Sequence, residues 1–298
     1  MCILETRALT SHQLHSHGEA RPIHQTRPMH NLVVHENASF PVRISRITVG
    51  LVVYRSSLDD LAPLFRCLRQ DKHIKQVVIF DNFGDPNLKD AVEARGWTYL
   101  TEHKNLGFGT AHNRIVEHLR GQEEALHLIV NPDIEWDRSP FPALLGYMKN
   151  HPNVAAVMPD VRNRDGSRQH LAKQKPSALI LFGRRFFQKR KFMQRKIHHY
   201  ELRHRSFTRP EVVPLISGCF MLVRTSIFNK INGFDPRYFL YLEDYDLCHR
   251  MQKEGWDVAL VPNTHVTHGH ERASYGWTME LLWHIKSAIL YFRTWGWM

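Results

Sequence analysis

Between Ile44 and Val130 the chain alternates apolar, β-branched runs with helical spacings four times over, and every connection is short. The run from Ile44 to Tyr54 reads as a buried parallel strand, since a strand covered on both faces carries near-continuous aliphatic residues. Leu61, Leu64, Phe65 and Leu68 then share one helical stripe, and Pro63 is tolerable there if Asp59 or Asp60 opens the helix. Val77 to Phe80 forms a second strand that stops in the turn-rich Asp81-Asn-Phe-Gly-Asp-Pro86. A helix to about Arg95, a strand over Trp97 to Thr101, a helix carrying Ile115, Val116 and Leu119, and a strand over Leu126 to Val130 complete the series. This alternation predicts an α/β protein with a mostly parallel sheet and helices on both faces. Ligands of such sheets bind at the carboxyl ends of the strands, where Asp81, the Gly107 to Gly109 loop and Asp133 fall.

Further along, Leu144, Leu145 and Met148 predict a helix and Val154 to Met158 a strand. Cys219 to Val223 and Asp257 to Val261 predict two more strands, and a loop with His265, His268 and His270 follows. Leu281, Leu282, Ile285, Ile289 and Phe292 keep helical spacing in an amphipathic C-terminal helix over about residues 276 to 298. Residues 1 to 40, rich in His, Ser, Gln and Pro without a sustained period, read as a disordered leader. Residues 41 to 298 then form one domain with an insertion at about 170 to 210.

The net charge of +11 is concentrated in that insertion: residues 184 to 209 hold ten Lys or Arg against the single acid Glu201. With Phe186, Phe187, Phe192 and Tyr200 interleaved, the segment suits an anionic membrane surface, where each cation contributes about 1 kcal/mol. A solvated loop is the alternative, and a nucleic-acid contact is a second, although no zinc-finger or RNP-type pattern accompanies it. The aromatic residues Trp283, Tyr291, Phe292, Trp295 and Trp297 suit an interfacial helix or packing on the domain. No apolar run reaches a spanning length, which predicts a cytoplasmic protein, at most peripheral at the inner face of the membrane. Four scattered cysteines, Cys2, Cys67, Cys219 and Cys248, predict reduced and mostly packed thiols.

Glu243, Asp244 and Asp246 crowd into four residues behind the apolar run Tyr238 to Leu242. Like charges this close raise each other's pKa. Leu247, Met251, Lys253 and Gly255 predict a helix over about Asp244 to Glu254, so one reading of the acids is as caps for its free amides. The other is that one acid is a general base or metal ligand fixed by the helix start.

In order, the chain carries Tyr54, Asp81-Asn82, Asn105-x-Gly-Phe-Gly-x-Ala-x-Asn113, Asn131-Pro-Asp133, Ser217-Gly218, Gly233-Phe-Asp, Glu243-Asp244-x-Asp-Leu and His268. This series resembles the family two glycosyltransferases of GT-A (Rossmann-like) fold over about residues 44 to 275, and most of all the bacterial rhamnosyltransferases of surface-polysaccharide assembly. The resemblance implies an inverting transfer, with Asp244 as base and Glu243 its neighbour. It places Tyr54, Asp81, Asn82, Asn105, Gly107, Gly109, Asn131, Ser217 and Gly218 along the nucleotide sugar. Asp133 and His268 are the implied ligands of a divalent cation, Mg2+ or Mn2+, with His265 and His270 as competitors for the histidine role. Asn131 stands where the family has the first acid of Asp-x-Asp, and taken alone Asn131-Pro-Asp133 reads equally as a turn. The implied donor is dTDP-L-rhamnose, with a UDP- or GDP-sugar as alternative, and the implied acceptor is a polyprenyl-diphosphate-linked glycan.

Overall fold

In a computed structural model the described residues are 46–121, 125–187, 189–269 and 277–297, within the unit Val42–Met298. The leader, Cys2 and His270 lie outside them. Strand β1 (Ile47–Val53) is buried along its whole length and pairs in parallel with β2 (Ile74–Asp81) on one side and β4 (Leu126–Val130) on the other. Strand β3 (Thr98–Leu100) extends the parallel set beyond β2. Helices α1 (Leu58–Gln70), α2 (Pro86–Glu93) and α3 (Phe108–His118) are the crossovers. Ser57 opens α1 with a capping box, its side chain accepting from the Asp60 amide while Asp60 answers the Ser57 amide. The helix thus starts one residue earlier than Asp59, and Pro63 sits a turn inside it.

The sheet runs β3-β2-β1-β4-β8-β6-β9-β5, with β7 (Glu211–Val212) paired beside β9. Here β5 is Ile134–Glu135, β6 Val154–Arg162, β8 Phe220–Arg224 and β9 Asp257–His268. Strand β8 is antiparallel to both β4 and β6. Its amino end therefore lies at the same edge as the carboxyl end of β4, with Phe220 opposite Val130. That reversal brings Ser217-Gly218 beside Asn131, whose amide donates to the Cys219 carbonyl at 2.9 Å. The chain order also reverses at β1, between β2 and β4, which is where open sheets of this kind have their ligand crevice.

Strand β9 reaches seven residues beyond the expected Val261. Its pairing with β6 skips from Val261 to His265, so Pro262, Asn263 and Thr264 form a bulge and the strand then resumes. His265 and His268 accordingly lie on a strand and not in a loop. Helix α4 (Phe141–Asn150) packs on β6 and β9, and the basic insertion folds into α5 (Ala178–Phe187) and α6 (Lys191–Tyr200). After α7 (Thr225–Lys230) come α8 (Glu243–Lys253) and α9 (Trp277–Trp295). No described helix is long and apolar enough to cross a membrane. Cys67, Cys219 and Cys248 are free and buried, as expected.

One face of β1 leaves room for an unforeseen pair. A Cβ at Gly50 would stand 2.7 Å from His127 Cε1 and 3.0 Å from His112 Nδ1, so only glycine lets these two buried rings lie against the strand. Burial holds both imidazoles neutral, His127 down to about 4 and His112 well below the usual histidine range.

Helix α3 is tied to a segment over a hundred residues away. Asn113 Nδ2 donates to the Phe234 carbonyl at 2.7 Å, and Asn113 Oδ1 accepts from the Phe234 amide at 2.8 Å. An Asn113→Ala protein leaves both backbone groups without these partners. Urea unfolding should show it about 1–3 kcal/mol less stable than the wild type, whereas Asn113→Ala matching the wild type would mean the tie contributes nothing.

Candidate active site

At the carboxyl ends of β1 and β2, Asp81 is buried and its oxygens face its own loop. Oδ1 accepts from the Phe83 amide at 2.8 Å, and Oδ2 accepts from the Asp85 amide at 2.7 Å and the Tyr99 hydroxyl at 2.8 Å. Burial and then the Asp81 carboxylate push the Tyr99 phenol up, so it stays a donor. The Asx turn made by Asp81 sets Phe83 outward, 49 % exposed, edge-on to Tyr54 with ring centres 6.2 Å apart. The Arg55 guanidinium stands 5.3 Å from the Tyr54 ring and 5.1 Å from the Phe83 ring. Phe83 and Arg55 were not anticipated from the sequence; their adjacency to Tyr54 and Asp81-Asn82 was the available signal.

Asn82 ties this end to the next loop, its Oδ1 accepting from the Leu106 amide and its Nδ2 donating to the Gly107 carbonyl. Asn105 turns inward to accept from the Gly107 amide at 2.9 Å. The glycines answer a packing demand of the protein itself. At Gly107, with φ of 79°, a Cβ would meet the Phe239 carbonyl oxygen at 2.1 Å, and at Gly109 one would meet Phe234 Cβ at 2.8 Å. The Phe108 amide donates to that same Phe239 carbonyl at 3.1 Å. Close approach here is therefore between the α3 entry and residues 234–239.

The acids begin α8 in an unusual way. Tyr241 and Leu242 are both left-handed, with φ of 74° and 66°, and Leu242 as N-cap offers no side-chain bond. Such strain in non-glycine residues persists only where the surroundings over-determine it. Helix α9 supplies that restraint: Ser287 Oγ donates to the Leu240 carbonyl at 2.8 Å, Trp283 packs on Phe239 and His284 on Tyr241. The Asp246 carboxylate accepts from Arg250 Nε at 2.7 Å and from Trp295 Nε1 at 2.9 Å. His249 Nε2 and the Tyr291 hydroxyl lie 2.6 Å apart. The cap expected of the acids thus reduces to Asp244 accepting from the Tyr245 amide, while Asp246 joins α8 to α9.

Asp244 is partly exposed, and its Oδ2 accepts from the Gly218 amide at 3.0 Å. Burial raises its pKa, while the Gly218 and Tyr245 amides and the Lys173 ammonium oppose the rise. Glu243 is buried, and its Oε2 has no hydrogen-bond partner among the described residues. Burial, then the neighbouring Asp244 charge, push it up to about 8. At neutral pH Glu243 therefore holds its proton, while the Gly218 and Tyr245 amides favour the ionised form of Asp244.

On the other side of Ser217-Gly218, the pairing of β5 with the end of β9 brings Asp133 to His268. Asp133 Oδ1 and His268 Nε2 are 3.1 Å apart, and Asn131 Nδ2 is 3.5 Å from the same ring nitrogen. Gln169 fixes the ring: its Nε2 donates to Asn163 Oδ1 and the His268 carbonyl, so its Oε1 accepts from His268 Nδ1 at 2.9 Å. With Nδ1 engaged by Gln169, Nε2 is the ring nitrogen that faces the Asp133 carboxylate, the orientation a ligand to a shared cation needs. Two donors of this kind with an amide oxygen nearby fit a hard divalent ion. Among the described residues no three His, Cys, Asp or Glu side chains converge, so oxygens from a ligand would have to complete its shell. His265 is exposed on the opposite face of β9 and pairs with Asp160. Gln169 was not anticipated, because nothing in its local sequence marks it.

The titration of Glu243 gives a test. Its folded pKa lies above the ordinary 4.5, so the stability it contributes is complete below about pH 4.5 and is lost as pH rises through about 8. In Glu243→Gln this loss is absent. Thermal unfolding should show the variant's midpoint climbing relative to wild type between pH 5 and 8 and levelling above; a gap that does not vary with pH would contradict the assignment.

A family described as glycosyltransferase like family 2 matches residues 63–281. The chain is 35 % identical over 181 residues to N-acetylglucosaminyl-diphospho-decaprenol L-rhamnosyltransferase of Mycobacterium tuberculosis, a match covering 58 % of this chain and 58 % of the relative. It is 26 % identical over 247 residues to rhamnosyltransferase WbbL of Escherichia coli, covering 81 % and 90 % of the two chains. Among solved structures, GalNAc-T7 with UDP, GalNAc and Mn2+ superimposes with a TM-score of 0.58 at 13 % identity, over 78 % of this chain and 45 % of the other. The mannosyltransferase PcManGT from Pyrobaculum calidifontis, in complex with GDP-Man and Mn2+, gives 0.53 at 17 % identity, over 82 % and 64 %. These likenesses establish the GT-A fold that the motif series implies by resemblance.

Proposed function

Because the chain belongs to the glycosyltransferase-like family 2, we propose that it transfers a sugar from a nucleotide donor to a lipid-linked glycan with inversion at the transferred carbon. The observation that carries this reading is the pairing of Asp244 with the Gly218 amide. It sets a carboxyl group across a two-residue stretch from the Asn131 to Asp133 turn, with Glu243 at its side. A base and a leaving-group site must face each other across the reacting carbon in a single displacement. Asp244 takes the proton of the acceptor hydroxyl as that oxygen forms its bond to C1. The bond from C1 to the diphosphate oxygen breaks on the opposite face, and its electron pair leaves with the nucleoside diphosphate. The raised pKa of Asp244 makes it a better proton acceptor than an ordinary aspartate.

Tyr54, Phe83 and Arg55 present an aromatic, cationic corner suited to a nucleobase, with Asp81 and Asn82 beside it in sequence and Asn105 to Gly109 leading toward the sugar. A divalent cation, Mg2+ or Mn2+, held by Asp133 and His268 would supply positive charge against the departing diphosphate. Asn131 in place of an acid lowers the negative charge of that pair of ligands. Rhamnose is the sugar favoured by the names of the two relatives, with dTDP-L-rhamnose the donor that the motif resemblance implies, and a polyprenyl-diphosphate acceptor is favoured by the diphospho-decaprenol in one name.

Asp244→Asn should lower turnover by a factor of about 10² or more while calorimetry shows nucleotide affinity nearly unchanged; loss of both together would make Asp244 a structural cap. Diphosphate release from a panel of dTDP-, UDP- and GDP-sugars, run with Mg2+, Mn2+ or chelator, should respond to dTDP-L-rhamnose and fail with chelator. Release from a different sugar nucleotide alone would replace the donor assignment.

A further inference from the structure

Helix α9 faces two ways. Its inner side carries Ser287, Ala288, Tyr291 and Phe292, all buried, and Trp295 bonded to Asp246. The aromatic residues singled out in the sequence are thus mostly packing, with only Trp297 well exposed. The outward stripe is different: Met279, Leu282, Lys286 and Arg293 follow at i, i+3, i+7 and i+14 and are all exposed, the apolar pair nearer the amino end. Helix α5 packs against α9, and α6 packs against α5. Helix α6 presents Phe192, Arg195, Lys196 and His199 at i, i+3, i+4 and i+7, again all exposed. Leu179 at the start of α5 and Phe187 at its end are exposed as well.

We propose that α5, α6 and the outward stripe of α9 form one docking surface for an anionic lipid bilayer. The chemistry separates this occupant from others. A nucleic acid would be drawn to the cations of residues 184 to 209 but has no use for exposed Leu179, Met279 and Leu282. A hydrophobic protein partner would have to cover Lys191, Arg195 and Lys196 without an acid between them. A bilayer with anionic headgroups takes both at once, cations at the phosphate level and apolar side chains below it. The surface lies one helix away from the chemistry, since the other side of α9 holds Phe239 to Leu242, the segment that opens α8. Docking there would keep the site at the membrane, where a lipid-linked acceptor resides. The inference holds whichever sugar is transferred.

Co-flotation of the full chain with phosphatidylglycerol-containing vesicles tests it, with phosphatidylcholine vesicles alongside. The wild type should float with the anionic vesicles and release with salt. Lys191→Glu/Arg195→Glu/Lys196→Glu and Phe192→Ser/Leu282→Ser should each bind at least about tenfold less, with unchanged thermal midpoints and unchanged sugar-nucleotide hydrolysis. A remote control, Lys72→Glu/Lys89→Glu/Lys149→Glu, carries the same charge change on exposed residues elsewhere and should float like the wild type. Equal flotation with neutral and anionic vesicles, equal loss in the remote control, or retention of random DNA without vesicle binding would each overturn the proposal. Because hydrolysis is read separately, an inactive protein that still floats would count against the transfer reading and leave the surface intact.

Discussion

Two consecutive left-handed residues, Tyr241 and Leu242, aim Glu243 and Asp244, and much of the molecule serves to hold them there. Backbone in this region costs of order 1–3 kcal/mol per non-glycine residue and needs restraint from outside. The restraints come from both directions. On one side Gly107 lets the α3 entry reach the Phe239 carbonyl, and Asn113 grips Phe234 through both of its backbone groups. On the other side Ser287, Trp283 and His284 of α9 close over residues 239 to 241. The strained turn is the place where the parallel half of the sheet and the C-terminal helix meet.

The two acids then divide a role that neither would fill alone. Among the described residues Glu243 has no hydrogen-bond partner for Oε2, and burial keeps its proton on. Asp244 has two backbone amides and a more exposed position, which favour its ionised form over that of Glu243. Environments that differ this much separate the pKa values of neighbouring carboxyls. Asp246, the third acid of the cluster, joins α8 to α9 through Trp295 and holds Arg250 of its own helix.

Much of this was legible in the chain. Period alone reveals the parallel strands, because aliphatic runs such as Ile47 to Val53 have few other uses. Their carboxyl ends then locate Tyr54, Asp81 and Asp133. What period does not reveal is long-range exchange of hydrogen bonds. Asn113 looks like an ordinary helix residue until Phe234 is placed beside it, and Gln169 carries no local mark of its tie to His268. Strand β9 was read short because Pro262 breaks the apolar run, whereas a bulge absorbs it and lets pairing resume at His265. The glycines of the Asn105 loop likewise carry no local mark of the close approach they permit to Phe239 and Phe234.

The metal end shows the same dependence on distant residues. Asp133 comes from the turn after β4, His268 from the far end of β9, and the imidazole is oriented by Gln169 from the start of the insertion. Because Gln169 accepts from Nδ1, Nε2 is the nitrogen left to face Asp133. The two amide contacts that pin Gln169, to Asn163 and to the His268 carbonyl, therefore fix which edge of the ring the Asp133 carboxylate meets. A loop bordering the basic insertion thus fixes the Asp133–His268 pair, just as α9 fixes the turn that carries Glu243 and Asp244.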